Sequence, residues 1–208
     1  GPELGADCVA DILARLAQAH LQLSSGQGAE LMWNGQASTQ LRPIHALQIG
    51  ALKTAPAFEV ALYAGLRAAQ VDVADTLLRQ YATFVGEGFQ VLNDLTDWED
   101  NANKGHRGQD VLARRPTILR AFALEAGAGD ALDDLVTAAR ASGSGNSVLP
   151  QVRTLYHQHG VFEKAHRLYG GLRTRALDLA REIEPPALRE LFQFLVRNIL
   201  REVRLVSD

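Results

Sequence analysis

An all-α fold follows from three features of the sequence. Helix-favouring Ala, Leu, Arg and Glu are abundant throughout, apolar residues recur at spacings of three and four, and no run of alternating β-branched residues reads as a strand. The first helix is predicted over residues 7–24, with Val9, Ile12, Leu13, Leu16, Ala19 and Leu23 at helical spacing and an end near Gly26. Residues 34–39 read as a polar loop. Pro43 sits early in the next helix, where its missing N–H costs little, and that helix carries Ile44, Leu47, Ile49 and Leu52. Pro56 is expected to kink or break it beside Lys53 and Thr54. A long helical pattern covers residues 72–101, followed by a polar turn, "NANKGHRGQD", over residues 101–110. Further helices are predicted over residues 111–126, 130–141, 147–157, 161–183 and 186–205. Residues 141–147, "ASGSGNS", form a connector too short to separate domains, so residues 1–208 read as a single domain.

Composition narrows the function. The chain has 208 residues, 47% of them hydrophobic, enough for a sizeable core. A net charge of -3 supplies no global basic field for nucleic acid or an anionic membrane, so any phosphate binding must be local. The single cysteine, Cys8, makes neither an internal disulfide nor a zinc cluster, which predicts a reducing compartment and a cytoplasmic protein. No apolar run is long enough to insert stably in a membrane, and no signal peptide opens the chain. The only methionine is Met32, so residues upstream of Gly1 are expected in the native protein.

The chemistry concentrates in "GFQVLNDLTDWED", residues 88–100. From Tyr81 to Asn103 the charged residues are Glu87, Asp94, Asp97, Glu99 and Asp100, all negative. Asn93, Asp97 and Asp100 are spaced i, i+4 and i+7 on one predicted helix face, with Asp94 beside them. They lie at the carboxyl end of their helix, where the macrodipole disfavours each acid by about 0.3–1 kcal/mol. In a cleft, two carboxylates roughly 6 Å apart repel by about 3 kcal/mol at an effective dielectric near 20 and need a counter-ion or a proton. Magnesium, which shares one or two carboxylates with substrate phosphates, answers that need. The plain alternative is a solvated acidic helix end. Phe89, Val91, Leu92 and Leu95 argue against it, because they predict that much of this helix is buried.

The order "GQGAEL" at residues 26–31, "LKTA" at 52–55, "GFQVLNDLTD" at 88–97 and "GQDVLARRPT" at 108–117 resembles the trans-isoprenyl diphosphate synthases, or polyprenyl synthetases. The resemblance covers most of the chain. It implies a helical bundle around a deep central cavity, usually a homodimer, whose amino-terminal helices are missing from this chain. It also implies magnesium-dependent ionisation of an allylic diphosphate and condensation with isopentenyl diphosphate. By the same resemblance Asn93, Asp94 and Asp97 form the second aspartate-rich, metal-binding motif, with Asn93 in place of the usual aspartate. Lys53 matches a diphosphate-binding and catalytic lysine, and Thr54 and Gln90 match polar residues that stabilise the carbocation. Gln27 and Glu30 match a Gly-Gln plus acidic signature, with Glu where Asp is usual. Lys104 and Arg115 match phosphate-binding positions, although Lys104-Gly105 reverses the usual order and Arg115 replaces a lysine.

The family's first aspartate-rich motif has no counterpart before Gly26, and the doublet Asp133-Asp134 is no substitute, since it reads as ordinary acid near a helix start. The resemblance therefore places that motif on missing residues or on a partner chain. Two alternatives stay open: a terpene-synthase-like cyclase, whose motif wants Ser or Thr at Asp97 and Glu at Asn101, and a non-catalytic subunit of a heteromeric synthase. His157 and His159 are expected at the surface. The last predicted helix alternates Arg189, Arg197, Arg201 and Arg204 with apolar residues and is expected to pack within the bundle.

Overall fold

The computed structural model describes residues 4–33, 40–99, 108–142 and 145–203, and within them every regular element is helical. The helices are α1 (Ala6–Trp33), α2 (Pro43–Ala68), α3 (Asp75–Thr96), α4 (Gln109–Leu112), α5 (Ile118–Glu125), α6 (Gly129–Ser142), α7 (Leu149–Gln158), α8 (Val161–Arg181) and α9 (Pro186–Ile199). A 3₁₀ turn, Gly145–Val148, leads into α7. No helix among the described residues is long and apolar enough to cross a membrane. The described residues group into two compact units, the first drawn from Gly1–Gly28, Ile49–Gln90 and Gly171–Glu202, the second from Ala29–Gln48, Val91–Gly170 and Val203–Asp208.

Several helices differ from expectation for identifiable reasons. α1 does not stop near Gly26 but continues to Trp33. Gly26 is there for proximity: a Cβ at this position would lie 2.7 Å from the carbonyl carbon of Leu52. α2 runs through Pro56 to Ala68 instead of breaking. The proline forfeits one backbone hydrogen bond and crowds the carbonyl four residues back, an effect of about 3 kcal/mol that burial of its ring and the packing around it must offset. α3 starts at Asp75 and ends at Thr96, shorter at both ends than the predicted 72–101. The helix expected over 111–126 is two short helices, because Arg114 adopts a left-handed φ of 54° and Pro116 follows it. α9 ends at Ile199, not at residue 205. The expected loop at 34–39 and most of the turn at 101–110, with Asp100, lie outside the described residues.

In the first unit, two glycines clasp the middle of α2. Gly26 of α1 admits the backbone at Leu52 and Lys53, while a Cβ on Gly86 of α3 would lie 2.7 Å from the nitrogen of Ala55. Helices this close exchange dispersion contacts along their backbones, which a methyl on either glycine would prevent. α9 is anchored on α3: the Tyr81 hydroxyl donates to the Phe192 carbonyl at 2.8 Å, and the two rings pack with centroids 4.8 Å apart. Leu200 closes this end against Gly88. α9 thus packs, as its apolar pattern predicts. On the polar side Arg15 bridges Glu59, at 3.0 Å, and Asp75.

In the second unit, Trp98, Tyr156 and Phe162 form a core triangle with ring centroids 5.4–5.9 Å apart. Helix α5 is buried along Ile118–Ala123, including a charged residue, Arg120. His157, expected at the surface, is half-buried: its ring packs 4.8 Å from Phe162, and Nε2 has no solvent contact.

Candidate diphosphate and metal site

The clasp on α2 fixes the first group of expected site residues. Lys53 is half-buried and Thr54 buried, one residue from the close approach of Gly86. Gly50 gives α3 room as well, since a Cβ there would lie 3.2 Å from the Gln90 side chain. Gln90 Nε2 donates to Thr54 Oγ1. Thr54 and Gln90, paired only by resemblance in the sequence, are therefore direct partners.

The second group lies in the second unit. Asn93 is exposed, and Asp94 and Asp97 are half-buried. Asp97 falls just past the last residue of α3, with its N–H still donating to the Asn93 carbonyl at 3.0 Å. Asp94 is engaged: its Oδ2 accepts the Ile118 backbone N–H at 2.8 Å. Thr117 caps the same helix by accepting from the Arg120 N–H at 3.2 Å. Asp94 stands at the unfavourable end of α3 but at the favourable, amino-terminal end of α5, whose orphan donors it satisfies. A local structural role thus accounts for one of the acids the sequence left unexplained.

Arg115 is half-exposed and paired with Asp110, its Nη1 lying 3.0 Å from Oδ1. A phosphate would compete with that carboxylate for the guanidinium. Lys104 lies outside the described residues. Gln27 is exposed on α1 and Glu30 is buried.

Three residues whose roles sequence reasoning missed, Arg120, Asp133 and Tyr156, are central to the second unit. Arg120, only 4% exposed, donates from Nη1 to the Arg114 carbonyl at 2.7 Å and pairs through Nη2 with Asp133 at 3.4 Å. Burial pushes its pKa down, opposed by the Asp133 carboxylate. Asp133 also pairs with Arg114 Nε at 3.4 Å, and Arg114 Nη2 donates to Thr137 Oγ1 at 2.8 Å. The doublet read as plain dipole acid therefore supplies the anion that makes a buried arginine tolerable. Tyr156, fully buried on α7, is the third. Nothing in the local spacing of these residues announces them, because their partners are remote in sequence.

No group of three or more His, Cys, Asp or Glu among the described residues is arranged to hold a metal ion by itself. The motif offers two carboxylates and one amide, a donor set that suits a hard cation sharing its shell with phosphate oxygens and not a cage built wholly of protein.

Solved structures similar to this one share its fold. They include a polyprenyl synthetase from Streptomyces coelicolor A3(2) (TM-score 0.79, 21% identity, 92% of this chain and 59% of that one). A polyprenyl synthase from Caulobacter crescentus CB15, complexed with calcium and isoprenyl diphosphate, gives a TM-score of 0.75 at 22% identity over 92% of this chain and 59% of that one. A decaprenyl diphosphate synthase from Rhodobacter capsulatus gives 0.78 at 20% identity over 94% of this chain and 60% of that one. The chain therefore spans about three fifths of the length of the structures it matches. No curated protein matches it. The polyprenyl synthetase family matches residues 3–151, well over half of the sequence, and the chain belongs to that family.

Proposed function

We propose that the protein is a magnesium-dependent prenyltransferase that condenses an allylic diphosphate with isopentenyl diphosphate, and that residues 1–208 form a single all-α domain carrying part of that enzyme's helical fold. Membership of the polyprenyl synthetase family carries this reading. The hydrogen bond between Thr54 and Gln90 and the carboxylates of Asp94 and Asp97 support it chemically.

In this reading Asn93, Asp94 and Asp97 hold magnesium, which when bound neutralises the diphosphate leaving group. Lys53 is a diphosphate-binding cation in this reading, with Arg115 and Lys104 as further cationic contacts. The allylic C–O bond breaks with its electron pair going to the diphosphate oxygen, and the allylic carbon becomes cationic. Thr54 and Gln90 oppose that charge with fixed oxygen dipoles that need no reorganisation during the reaction. The double bond of isopentenyl diphosphate then attacks the cation, and loss of a proton restores neutrality at carbon. We place the enzyme in the cytoplasm. We also propose a homodimer or a heteromer with a related chain, because α1 exposes Leu13, Leu16 and Leu21, an apolar row of the kind that marks an interaction surface.

Product analysis tests this directly. The native protein should consume an allylic diphosphate only with magnesium and elongate it only with isopentenyl diphosphate. Lys53→Ala, or Asp94→Ala with Asp97→Ala, should reduce turnover by about 100-fold or more, the order expected when preorganised transition-state contacts are lost. Consumption without elongation would replace the condensation with a cyclase-type reaction. No consumption would make the protein a silent subunit.

A further inference from the structure

Gly50 is buried in the body of α2, where alanine would serve the helix better. The room it leaves is used differently from that at the other close-packed glycines of the first unit. A Cβ on Gly26 or Gly86 would meet backbone, 2.7 Å from the carbonyl carbon of Leu52 or the nitrogen of Ala55. A Cβ on Gly50 would lie 3.2 Å from both Cβ and Cγ of Gln90. Among the described residues outside its own stretch of helix, nothing else comes within 4 Å of that point. Gly26 and Gly86 let two helices approach, whereas Gly50 admits one side chain.

That side chain is the one that reaches Thr54. Gly50 and Thr54 are four residues apart on α2 and share a face, about one turn from each other. The methylenes of Gln90 lie over Gly50, and its Nε2 donates to Thr54 Oγ1. Gln90 therefore spans a turn of α2, with its stem on the glycine and its amide on the threonine. A glutamine loses rotamer freedom on ordering that matches or exceeds what one hydrogen bond returns, so the bond to Thr54 does not hold the amide by itself. The seat at Gly50 adds the missing constraint. A methyl there would push the stem by a few tenths of an ångström and turn the donor away from the direction in which hydrogen bonds are strong.

We propose that Gly50 is a positioning residue: its missing side chain seats the stem of Gln90 so that the amide meets Thr54. This rests on the proposed role of Thr54 and Gln90 beside the carbocation. Gly50 acts only through Gln90.

The test compares the native protein with Gly50→Ala by kinetics and by solvent exchange of the Gln90 side-chain amide, whose nuclear magnetic resonance signal is identified by its loss in Gln90→Ala. Dimethylallyl, geranyl and farnesyl diphosphates are offered in turn with isopentenyl diphosphate and magnesium. Gly50→Ala should lower kcat about tenfold, short of the roughly 100-fold that a 1 Å misplacement costs, while KM for the allylic diphosphate stays within about twofold. The amide should exchange several-fold faster, and the melting temperature should stay within about 3 °C of the parent, because better helix preference offsets the crowding of one flexible side chain. In a Gln90→Ala background the same substitution should lower kcat no further. Gly65→Ala, on the exposed part of α2, should leave both kcat and exchange unchanged. Unchanged kcat with unchanged exchange would overturn the inference and leave the reading of Thr54 and Gln90 standing, as would an equal loss of kcat in both backgrounds. A variant that fails to fold would also overturn it, since the contact would then not be confined to a side chain. Faster exchange with unchanged kcat would remove Thr54 and Gln90 from the reaction, and this inference with them. If the native protein consumes none of the three diphosphates, the enzymatic reading itself falls and takes the inference along.

Discussion

The cap that Asp94 places on α5 and the metal-binding role proposed for it can be separated by measurement. Its hydrogen bond to the Ile118 N–H is a charge-assisted cap on α5, so Asp94→Ala should destabilise the fold by about 1–2 kcal/mol, as loss of a helix cap does. For a chain of this size that lowers the melting temperature by about 2–4 °C per kcal/mol. Asp97 lies past the end of α3 and does not cap α5 at Ile118, so Asp97→Ala should melt closer to the parent, while both substitutions should weaken magnesium binding. Differential scanning calorimetry of the two variants distinguishes cap from ligand. The concentration of acid around residue 94 was legible in the sequence because charge and spacing are local properties. The answering N–H of Ile118, twenty-four positions along, was not, and neither was the Arg120–Asp133 pair, because each depends on how α5 and α6 return. Lys53, Thr54 and Gln90 were legible only through resemblance; their spacing carries no pattern that a physical rule would select.

At the level of the helix, glycine and proline were the misleading residues. Gly26 and Pro56 are strong local breakers by intrinsic preference, and both lie inside continuous helices. Tertiary proximity overrode propensity, since the backbone of α2 passes where a methyl on Gly26 or Gly86 would stand. Gly26→Ala or Gly86→Ala should therefore cost about 1–3 kcal/mol through overpacking, despite the better helix propensity of alanine. Gly65, on the exposed side of the same helix, meets nothing within 4 Å, so Gly65→Ala should stabilise by about 0.5–1 kcal/mol. Chemical denaturation of the three variants checks both signs. On α3, burial holds the Glu87 carboxyl above the usual carboxylate range, against the pull of Arg175. A carboxyl raised in the folded state contributes its stability while protonated, below the unfolded value, and loses it as pH climbs through the folded one. Glu87→Gln should thus melt higher than the parent at neutral pH, with the gap narrowing as pH falls toward about 4. Melting curves across that range would contradict the assignment if the gap were constant.

For the whole molecule, the all-α class was readable because helical periodicity recurs in nearly every segment. The alternation of apolar and basic residues in α9 likewise anticipated its packing through Phe192 and Val196. The exposed row on α1 belongs to this scale, with Leu13 and Leu21 exposed by 57% and 69%. If a second chain covers it, Leu13→Glu with Leu21→Glu should convert the assembly to monomers in sedimentation velocity while leaving far-ultraviolet helicity unchanged. The central claim is that the oxygens of Asn93, Asp94 and Asp97 serve a cation bound together with a diphosphate. Magnesium titration of allylic diphosphate consumption by the native protein, beside the Asp94→Ala, Asp97→Ala double variant, tests it most directly. The account predicts saturable magnesium dependence in the parent and loss of turnover in the variant at every magnesium concentration. Equal consumption by the two proteins, or consumption that persists without divalent cations, would contradict it.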